Sequence, residues 1–304
     1  MIAALLVLGL GCAPEPEQHL MWRDSWELLG ILEGGRALDA SVSIGNTGLL
    51  RGQGRLRMEL WEPKDAPVRF SQHTGPLAVN HAPDAGRATV GINGLALDEQ
   101  AWSFRVADDN VNALVQLTPL SAAQPQETWG DGPWQVTARA PIGEISGWVT
   151  AGKRGGLIRG RGLLLHRSGH AVPAPPRLGV YVMHERLSLI VDMHGPQGLA
   201  WATLDGEPLD TEGVTVDFPA RGPVTVSLPS ADTTITLRRR KQRGTIDPFE
   251  HLLAAEAWIA APLIGQPLRR LQLSQATLAQ GERTLRAPAL LVEVRDAAQL
   301  TAAQ

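Results

Sequence analysis

Apolar and polar residues alternate with a period of two along much of the chain. Residues 55–61 are the clearest case, because Leu56, Met58 and Leu60 fall on one face and charged side chains fall on the other. This pattern is typical of a strand with one buried face. Similar short segments recur with Gly- or Pro-rich turns between them, and that spacing is typical of a β-sandwich or β-barrel.

The central part of the chain predicts three strands in a row. Residues 134–139, 144–150 and 157–165 are rich in apolar and β-branched residues, and residues 151–156 have the glycine content of a hairpin loop. The third strand leads through Gly160-Arg161-Gly162 to His166, where the glycines indicate a bulge or a close backbone approach. This arrangement would place a polar side chain beside an apolar face, as a ligand-binding barrel requires.

The order of the segments predicts two β units. We expect a first β domain over residues 22–120, a polar linker over 121–133, a second β domain over 134–297 and a tail over 298–304. An Asp-Pro-Phe-Glu capping pattern at residue 247 predicts a helix that runs to about residue 261. The predicted fold class is all-β, with two antiparallel β-barrels in tandem and one short α-helix in the C-terminal half.

The N-terminus resembles a bacterial lipoprotein signal. Residues 1–11 are an apolar run that is shorter than a bilayer span, and they end at Cys12, the one cysteine of the chain. On this interpretation residues 1–11 are a signal peptide, Cys12 is acylated and residues 12–21 form a Pro-rich tether. We therefore expect a cell-envelope protein, held by its lipid anchor on the periplasmic side of the outer membrane. The alternative is a buried N-terminal strand with an incidental cysteine.

Composition narrows the classes of partner. The chain has 304 residues, 43% of them hydrophobic, and a net charge of −3. With this charge, nucleic-acid binding is not expected. The basic run at residues 238–243 would suit either acidic lipid headgroups or a solvated loop, and we prefer the loop.

Tryptophan dominates the aromatic residues, with nine Trp against one Tyr. Tryptophan can line a pocket for an apolar ligand that has one polar end, although it more often fills a core. Five of them fall on or near predicted strands, and we expect these to surround the ligand together with His166: Trp26, Trp61, Trp102, Trp148 and Trp201.

Three groups of motifs resemble the lipocalin-like superfamily that includes carotenoid 1,2-hydratases and AttH-like proteins. The first is the aromatic strand at residues 26–32, which is followed by Gly35-Arg36. The second is Leu117-Thr118-Pro119 with residues 129–132. The third is the central run of Pro141, the glycines at 147, 152, 160 and 162, and residues 166–169. The resemblance covers most of residues 22–295 and implies two lipocalin-like barrels.

The resemblance also implies a hydrophobic ligand and a set of acid–base residues. Of that set only His166 carries over, because Leu165 and Ser168 replace the family's Asp and Trp beside it. Our first hypothesis is therefore binding or transport of a lipid, isoprenoid or similar molecule. The second is a hydratase, isomerase or cyclase without a redox cofactor, with His166 as its acid. The third is a structural envelope lipoprotein.

The enzymatic hypothesis needs a second ionisable group beside His166, and Glu144, Glu185 and Asp192 are its candidates.

Other kinds of site find little support in the sequence. His166 and His170 could join His184 and His194 at a metal, but a nearby carboxylate or thiolate is missing from the pattern, and we expect no metal and no other cofactor. We expect the remaining histidines of the Pro-rich region, His73 and His81, to be exposed. No Gly-x-Ser-x-Gly element occurs.

Overall fold

The computed structural model describes residues 22–47, 50–129, 134–170, 177–195, 197–219, 222–239, 244–246 and 267–296. The signal segment, Cys12 and the tether lie outside these residues, as do the helix of residues 247–261 and the C-terminal tail, so those predictions remain untested. No helix within the described ranges is long and apolar enough to cross a membrane.

The first sheet contains twelve of the described strands. Its order is β4, β3, β2, β1, β12, β11, β9, β8, β7, β6 and β5, and β10 pairs with β11 outside this path. The neighbouring strands are antiparallel. Their bounds are β1 Trp22–Leu32, β2 Arg36–Thr47, β3 Leu50–Trp61, β4 Val68–Thr74, β5 Val79–Ala82, β6 Arg87–Val90, β7 Asn93–Asp98, β8 Ala101–Ala107, β9 Asn112–Pro119, β10 Gln126–Trp129, β11 Trp134–Ala151 and β12 Arg154–His170.

The second sheet contains the other ten described strands. Its order is β16, β15, β14, β13, β22, β21, β19, β18 and β17, and β20 pairs with β21. Their bounds are β13 Arg177–Met183, β14 Leu187–His194, β15 Gln197–Leu204, β16 Glu207–Leu209, β17 Thr215–Asp217, β18 Val224–Leu228, β19 Thr233–Arg239, β20 Gly244–Ile246, β21 Pro267–Gln280 and β22 Arg283–Asp296. Four single-turn 3₁₀ segments complete the described structure, at Glu33–Gly35, Pro76–Ala78, Pro83–Ala85 and Pro229–Ala231.

Each sheet curls into a barrel. Its two edge strands are consecutive in the chain, so a short connection keeps the two edges close to each other. In the first sheet β4 and β5 are the edges, and a short connection holds them together. Gly54 on β3 lies so close to the closing strands that a Cβ atom would meet Val79 at 2.6 Å and Val90 at 2.8 Å. In the second sheet β16 and β17 are the edges and are joined in the same way.

Alternation along the strands divides the apolar residues into three clusters. One fills the first barrel and includes Leu28, Val42 and Phe104. A second fills the second barrel and includes Val180. The third lies between the barrels, where the outward faces of both sheets pack together, and Tyr181 belongs to it. The all-β fold with two barrels, predicted from the sequence, is confirmed.

The central hairpin belongs to the first barrel. β11 and β12 pair with each other, β11 also pairs with β9, and β12 pairs with β1, so together they complete the first sheet. The chain passes to the second sheet between His170 and Arg177. The sequence-based boundary at residues 121–133 therefore does not coincide with the change of sheet. Within the described part of that segment, residues 126–129 form β10, which pairs with β11 of the first sheet.

Candidate functional site

One buried carboxylate inside the first barrel, that of Asp24, is hydrogen-bonded to two histidines that are remote from it in sequence. Atom Oδ1 of Asp24 lies 2.6 Å from Nε2 of His166, and atom Oδ2 lies 2.6 Å from Nε2 of His81. The most exposed of these three side chains, His166, has only 7% of its surface accessible. The carboxylate thus joins two imidazoles within a largely apolar interior.

Strand register explains how these side chains meet. In the β1–β12 ladder Trp26 lies opposite His166 and Asp24 lies opposite Ser168, so Asp24 and His166 are diagonal neighbours on the same face. His81 lies on β5, at the far edge of the sheet. Closure of the barrel brings that edge across the interior toward β1. The site therefore requires both the ladder and the closed barrel.

Aromatic rings enclose the three ionisable groups. The rings of Trp26 and His166 are stacked, with centroids 4.0 Å apart and an angle of 16° between their planes. Trp102 lies 5.1 Å from Trp26. Trp22 meets His81 edge to face at 5.9 Å. Such apolar surroundings strengthen the electrostatic interactions among the three groups.

The charge state of Asp24 determines how the imidazoles are oriented. Burial acts to raise the pKa of Asp24, but the hydrogen bonds from His166 and His81 outweigh burial and hold this pKa below its ordinary value of 3.8. The carboxylate is therefore ionised at neutral pH and only accepts hydrogen bonds. Each imidazole donates from Nε2, which leaves Nδ1 of the neutral ring with a lone pair.

Two polar atoms of this cluster are buried without a hydrogen-bond partner among the described residues. They are Nδ1 of His81 and the indole Nε1 of Trp26. Buried polar atoms are normally paired, because the loss of hydration is costly. A molecule bound beside these two atoms could complete their hydrogen bonding.

A second cluster of buried charges lies on the opposite face of the same two strands, between the barrels. Glu27 follows Trp26 on β1 and Arg167 follows His166 on β12, so alternation directs both away from the site and toward the second barrel. We call the following group the inter-barrel ionic cluster: Glu27, Asp39, Arg57, Arg167, Arg177, Tyr181, Asp192 and Arg269.

Glu27 is one acidic centre of the inter-barrel ionic cluster. Its Oε2 atom accepts hydrogen bonds from Arg167 at 2.6 Å and from Arg177 at 2.8 Å, and its Oε1 atom pairs with Arg269. Burial acts to raise the pKa of Glu27, but the charges of Arg177, Arg269 and Arg167 hold it well below the ordinary value of 4.5. The contacts with Arg177 and Arg269 join the two barrels.

Asp192, on β14, is the other acidic centre. It accepts a hydrogen bond from Nε of Arg177 at 3.0 Å and one from the hydroxyl of Tyr181 at 2.9 Å, and it also pairs with Arg167. Burial again acts to raise the pKa, and Arg167 and Arg177 again hold it well below the ordinary value of 3.8. Arg167 therefore bridges the two acidic centres directly behind His166.

Glu59 lies directly opposite Asp39 on the neighbouring strand. In the described part of the chain it lacks the close arginine contacts that lower the pKa values of Glu27 and Asp192. Glu59 has an ion pair with Arg69, whose Nε lies 3.7 Å from Oε1, while Oε2 has no hydrogen-bond partner among the described residues. Burial raises the pKa of Glu59 from 4.5 to about 7. The folded state consequently retains a proton that the unfolded chain would release.

Replacing Glu59 by glutamine is expected to stabilise the protein above pH 7 and to change little near pH 4. Because the pKa is higher in the folded state, the stability of the wild type falls as pH rises from 4.5 to about 7. That loss amounts to ~3 kcal/mol, since each pKa unit corresponds to ~1.4 kcal/mol. Urea unfolding at both pH values measures the difference. The control is Glu144→Gln, on an exposed position of β11; equal effects of Glu59→Gln at the two pH values would contradict the prediction.

The predicted site residues divide between three places. His166, Trp26 and Trp102 come together inside the first barrel. Trp61 and Trp201 instead pack in the cluster between the barrels.

Trp148 is on the outside of the first barrel. It is 38% exposed and lies directly opposite Leu157 in the β11–β12 ladder. The structure therefore separates it from the other aromatic residues predicted to surround a ligand.

Two expectations about ionisable residues are wrong. His81 is not exposed, because its side chain has only 3% of its surface accessible. The partner of His166 is Asp24 and none of the three proposed carboxylates. Glu144 and Glu185 are exposed, and Asp192 faces the inter-barrel ionic cluster.

Asp24 and His81 were missed for different reasons. The alternation of Trp22, Asp24 and Trp26 does place the aspartate on the face of the two tryptophans, and this signal was available in the sequence. His81 had no such signal, because its strand has four residues and lies between prolines. Within the described ranges no three His, Cys, Asp or Glu side chains form a group that could hold a metal ion.

Comparison with solved structures shows which proteins share this fold. CghA in complex with Sch210972 aligns with a TM-score of 0.61 and 12% identity, over 91% of this chain and 89% of that chain. An AttH-like protein from Nitrosomonas europaea aligns with a TM-score of 0.57 and 12% identity, over 89% and 92%. Kievitone hydratase from Nectria haematococca aligns with a TM-score of 0.56 and 9% identity, over 91% and 89%.

At such low identities the likeness shows the fold, which is a lipocalin-like double barrel. This part of the sequence-based resemblance is confirmed. No protein-family model and no curated protein matches the sequence itself.

Proposed function

We propose that the first barrel is an acid–base active site that hydrates, dehydrates or isomerises an apolar unsaturated molecule. The observation that carries this proposal is the bridge from Asp24 to His81 and His166 inside an aromatic enclosure. No redox chemistry is needed for such reactions, because protons and water are the only species transferred.

The bridge suits proton transfer in both directions. Asp24 fixes the ring orientation and tautomer of both histidines and would stabilise whichever imidazolium forms. Two imidazoles that share one carboxylate can act as acid and as base in the same reaction, as addition of water to a double bond requires.

Binding or transport of an apolar ligand would not require these ionisable groups. Burying an ionised carboxylate and two imidazoles costs free energy, and contacts with an apolar ligand would not offset that cost. Perturbed and buried ionisable groups in an apolar enclosure are more typical of active sites. The enzymatic hypothesis is therefore preferred to binding or transport. The enzymatic hypothesis is also supported by the name of one structural neighbour, kievitone hydratase. The structural likeness to that protein extends only to the fold.

We keep the envelope location as a proposal that rests on the sequence alone. Acylation at Cys12 would place the two barrels at a membrane surface, where apolar substrates concentrate.

Isotope uptake tests the proposed activity. The purified full-length protein is incubated in deuterium oxide with a panel of apolar alkenes and enones, and mass spectrometry detects deuterium bound to carbon. His166→Gln is expected to lower the rate of uptake by about 10²-fold, because glutamine cannot exchange protons as imidazole does.

The matched control is His73→Gln on β4, where Nε2 of the histidine lies 3.0 Å from Oε1 of Gln53. This variant should retain the full rate. The proposal fails if no panel member takes up deuterium, or if the rate of uptake with His166→Gln equals that with the wild type.

A further inference from the structure

Arg139 reaches the candidate site through an irregularity in β11. The pairing of β11 with β12 shifts register between Ala138 and Ala140. Ala138 packs between the barrels, whereas Ala140 packs inside the first barrel, so the alternation breaks at Arg139. Bulges of this kind redirect side chains and are frequent beside active sites.

The guanidinium of Arg139 lies against the same indole ring that stacks on His166. Its Cζ atom is 5.8 Å from the centroid of Trp26, and the ring of His166 lies 4.0 Å from the same indole. The Nη1 atom of Arg139 donates a hydrogen bond to Oε1 of Gln124 at 3.3 Å. The guanidinium is therefore anchored at one nitrogen, beside the indole ring on which His166 stacks.

Two donors at this ring have no acceptor within the described part of the chain. They are the Nε–H of Arg139 and the Nε1–H of Trp26, and both nitrogens are buried. The Trp26 side chain is almost fully buried, with 2% of the residue exposed. A bound molecule with an oxygen acceptor would satisfy donors that are otherwise desolvated without compensation.

A cation at this position also selects between two routes of water addition. Protonation of an isolated alkene produces a carbocation, which a neighbouring guanidinium would destabilise. Addition to a conjugated carbonyl produces an enolate, whose negative oxygen the same guanidinium and an indole N–H would stabilise. The guanidinium against Trp26 therefore favours the second route.

We propose that the substrate is an apolar α,β-unsaturated ketone or a related molecule with a conjugated oxygen, and that Arg139 and Trp26 bind that oxygen. This inference rests on the proposed acid–base function. In the forward step, a water oxygen bonds to the β-carbon while one imidazole takes a water proton. The π electrons move to the carbonyl oxygen and form an enolate. An imidazolium then gives a proton to the α-carbon, and the sum is the addition of one water.

Binding of an enolate mimic tests the inference without requiring turnover. Isothermal titration calorimetry compares para-nitrophenolate with para-nitroanisole, its uncharged methyl ether, on the full-length protein. We expect the wild type to bind the phenolate at least tenfold more tightly than the ether. Arg139→Met should abolish that preference, whereas Arg139→Lys, which retains the charge, should keep part of it. Arg105→Met, on an exposed position of β8, should leave it unchanged.

The outcomes separate this inference from the proposed function. A phenolate preference that persists in Arg139→Met, or that is absent from the wild type, overturns the inference. Deuterium uptake by allylbenzene that equals uptake by benzylideneacetone also overturns it, while the acid–base function would stand. If the preference depends on Arg139 but no enone reacts, the oxygen site is supported and the proposed catalysis fails.

Discussion

Replacing Asp192 by asparagine is expected to lower the free energy of unfolding by about 3 to 5 kcal/mol, the usual cost of breaking a buried ion pair. Asp192 is fully buried and accepts hydrogen bonds from Arg177 and Tyr181, while also pairing with Arg167. The neutral amide would leave Arg167 and Arg177 with Glu27 as their shared carboxylate, and Glu27 already pairs with Arg269 as well. Chemical denaturation followed by tryptophan fluorescence measures the change.

Asp205→Asn is the matched control, because Asp205 also pairs with two arginines, Arg186 and Arg283. The Asp205 side chain is 42% exposed, so water replaces much of what is lost, and little change is expected. The prediction would be contradicted if the two variants were equally stable. The number of arginine partners is the same, so the comparison measures the effect of burial together with the further contacts of Asp192 to Tyr181 and His194.

The pH dependence of stability should change in the same variant. The pKa values of Asp192 and Glu27 are depressed in the folded state, below their ordinary values of 3.8 and 4.5. Their contribution is therefore complete above these ordinary values and is lost as pH falls through the lower folded-state values. Below pH 4.5 the wild type should lose stability steeply, and Asp192→Asn should lose it less steeply because one of the two carboxyls is absent.

Replacing Asp24 by asparagine is expected to lower turnover by about 10³- to 10⁴-fold, more than the loss of either histidine alone. The carboxylate accepts a hydrogen bond from both rings. An asparagine has one acceptor oxygen and one donor nitrogen, so the ring that faces the nitrogen must present a bare Nε2. One histidine would then adopt the opposite tautomer, and neither imidazolium would be stabilised by a charge.

Asp98→Asn is the control for this substitution, because Asp98 is exposed at the end of β7 in the same sheet. Deuterium uptake and the melting temperature are measured for both variants. A loss of uptake at unchanged melting temperature supports the role of Asp24 in orienting the rings. Full uptake by Asp24→Asn would show that the bridge is not part of the chemistry.

The two clusters are connected through the β1–β12 strand pair. Trp26 and Glu27 are neighbours on one strand, and His166 and Arg167 are neighbours on the other. The inner pair builds the candidate site, and the outer pair binds the second barrel through Arg177 and Asp192. The second barrel therefore supports the site from behind by holding these strands, although the bridging carboxylate and both imidazoles lie in the first barrel.

The sequence by itself determined the class of fold and the position of most strands. Residues 55–61, which have the period-two pattern, lie in β3. The glycine-rich turn predicted after residue 151 lies at the tip of the β11–β12 hairpin. These features are local, because alternation and turn chemistry are written in consecutive residues. The same local pattern places Trp26 on an inward face and places His166 at the end of the third predicted strand.

Only the tertiary structure decided which ionisable groups meet. His166 lies 142 positions from Asp24, and His81 lies 57 positions from it. No pattern in the neighbouring sequence relates these residues, because their contact depends on strand register and on the closure of the sheet. The bulge at Arg139 shifts a single residue out of alternation, and closure brings His81 from a Pro-rich segment into the core. The chemistry of the site therefore follows from long-range packing, whereas the barrel that holds it follows from the pattern of the chain.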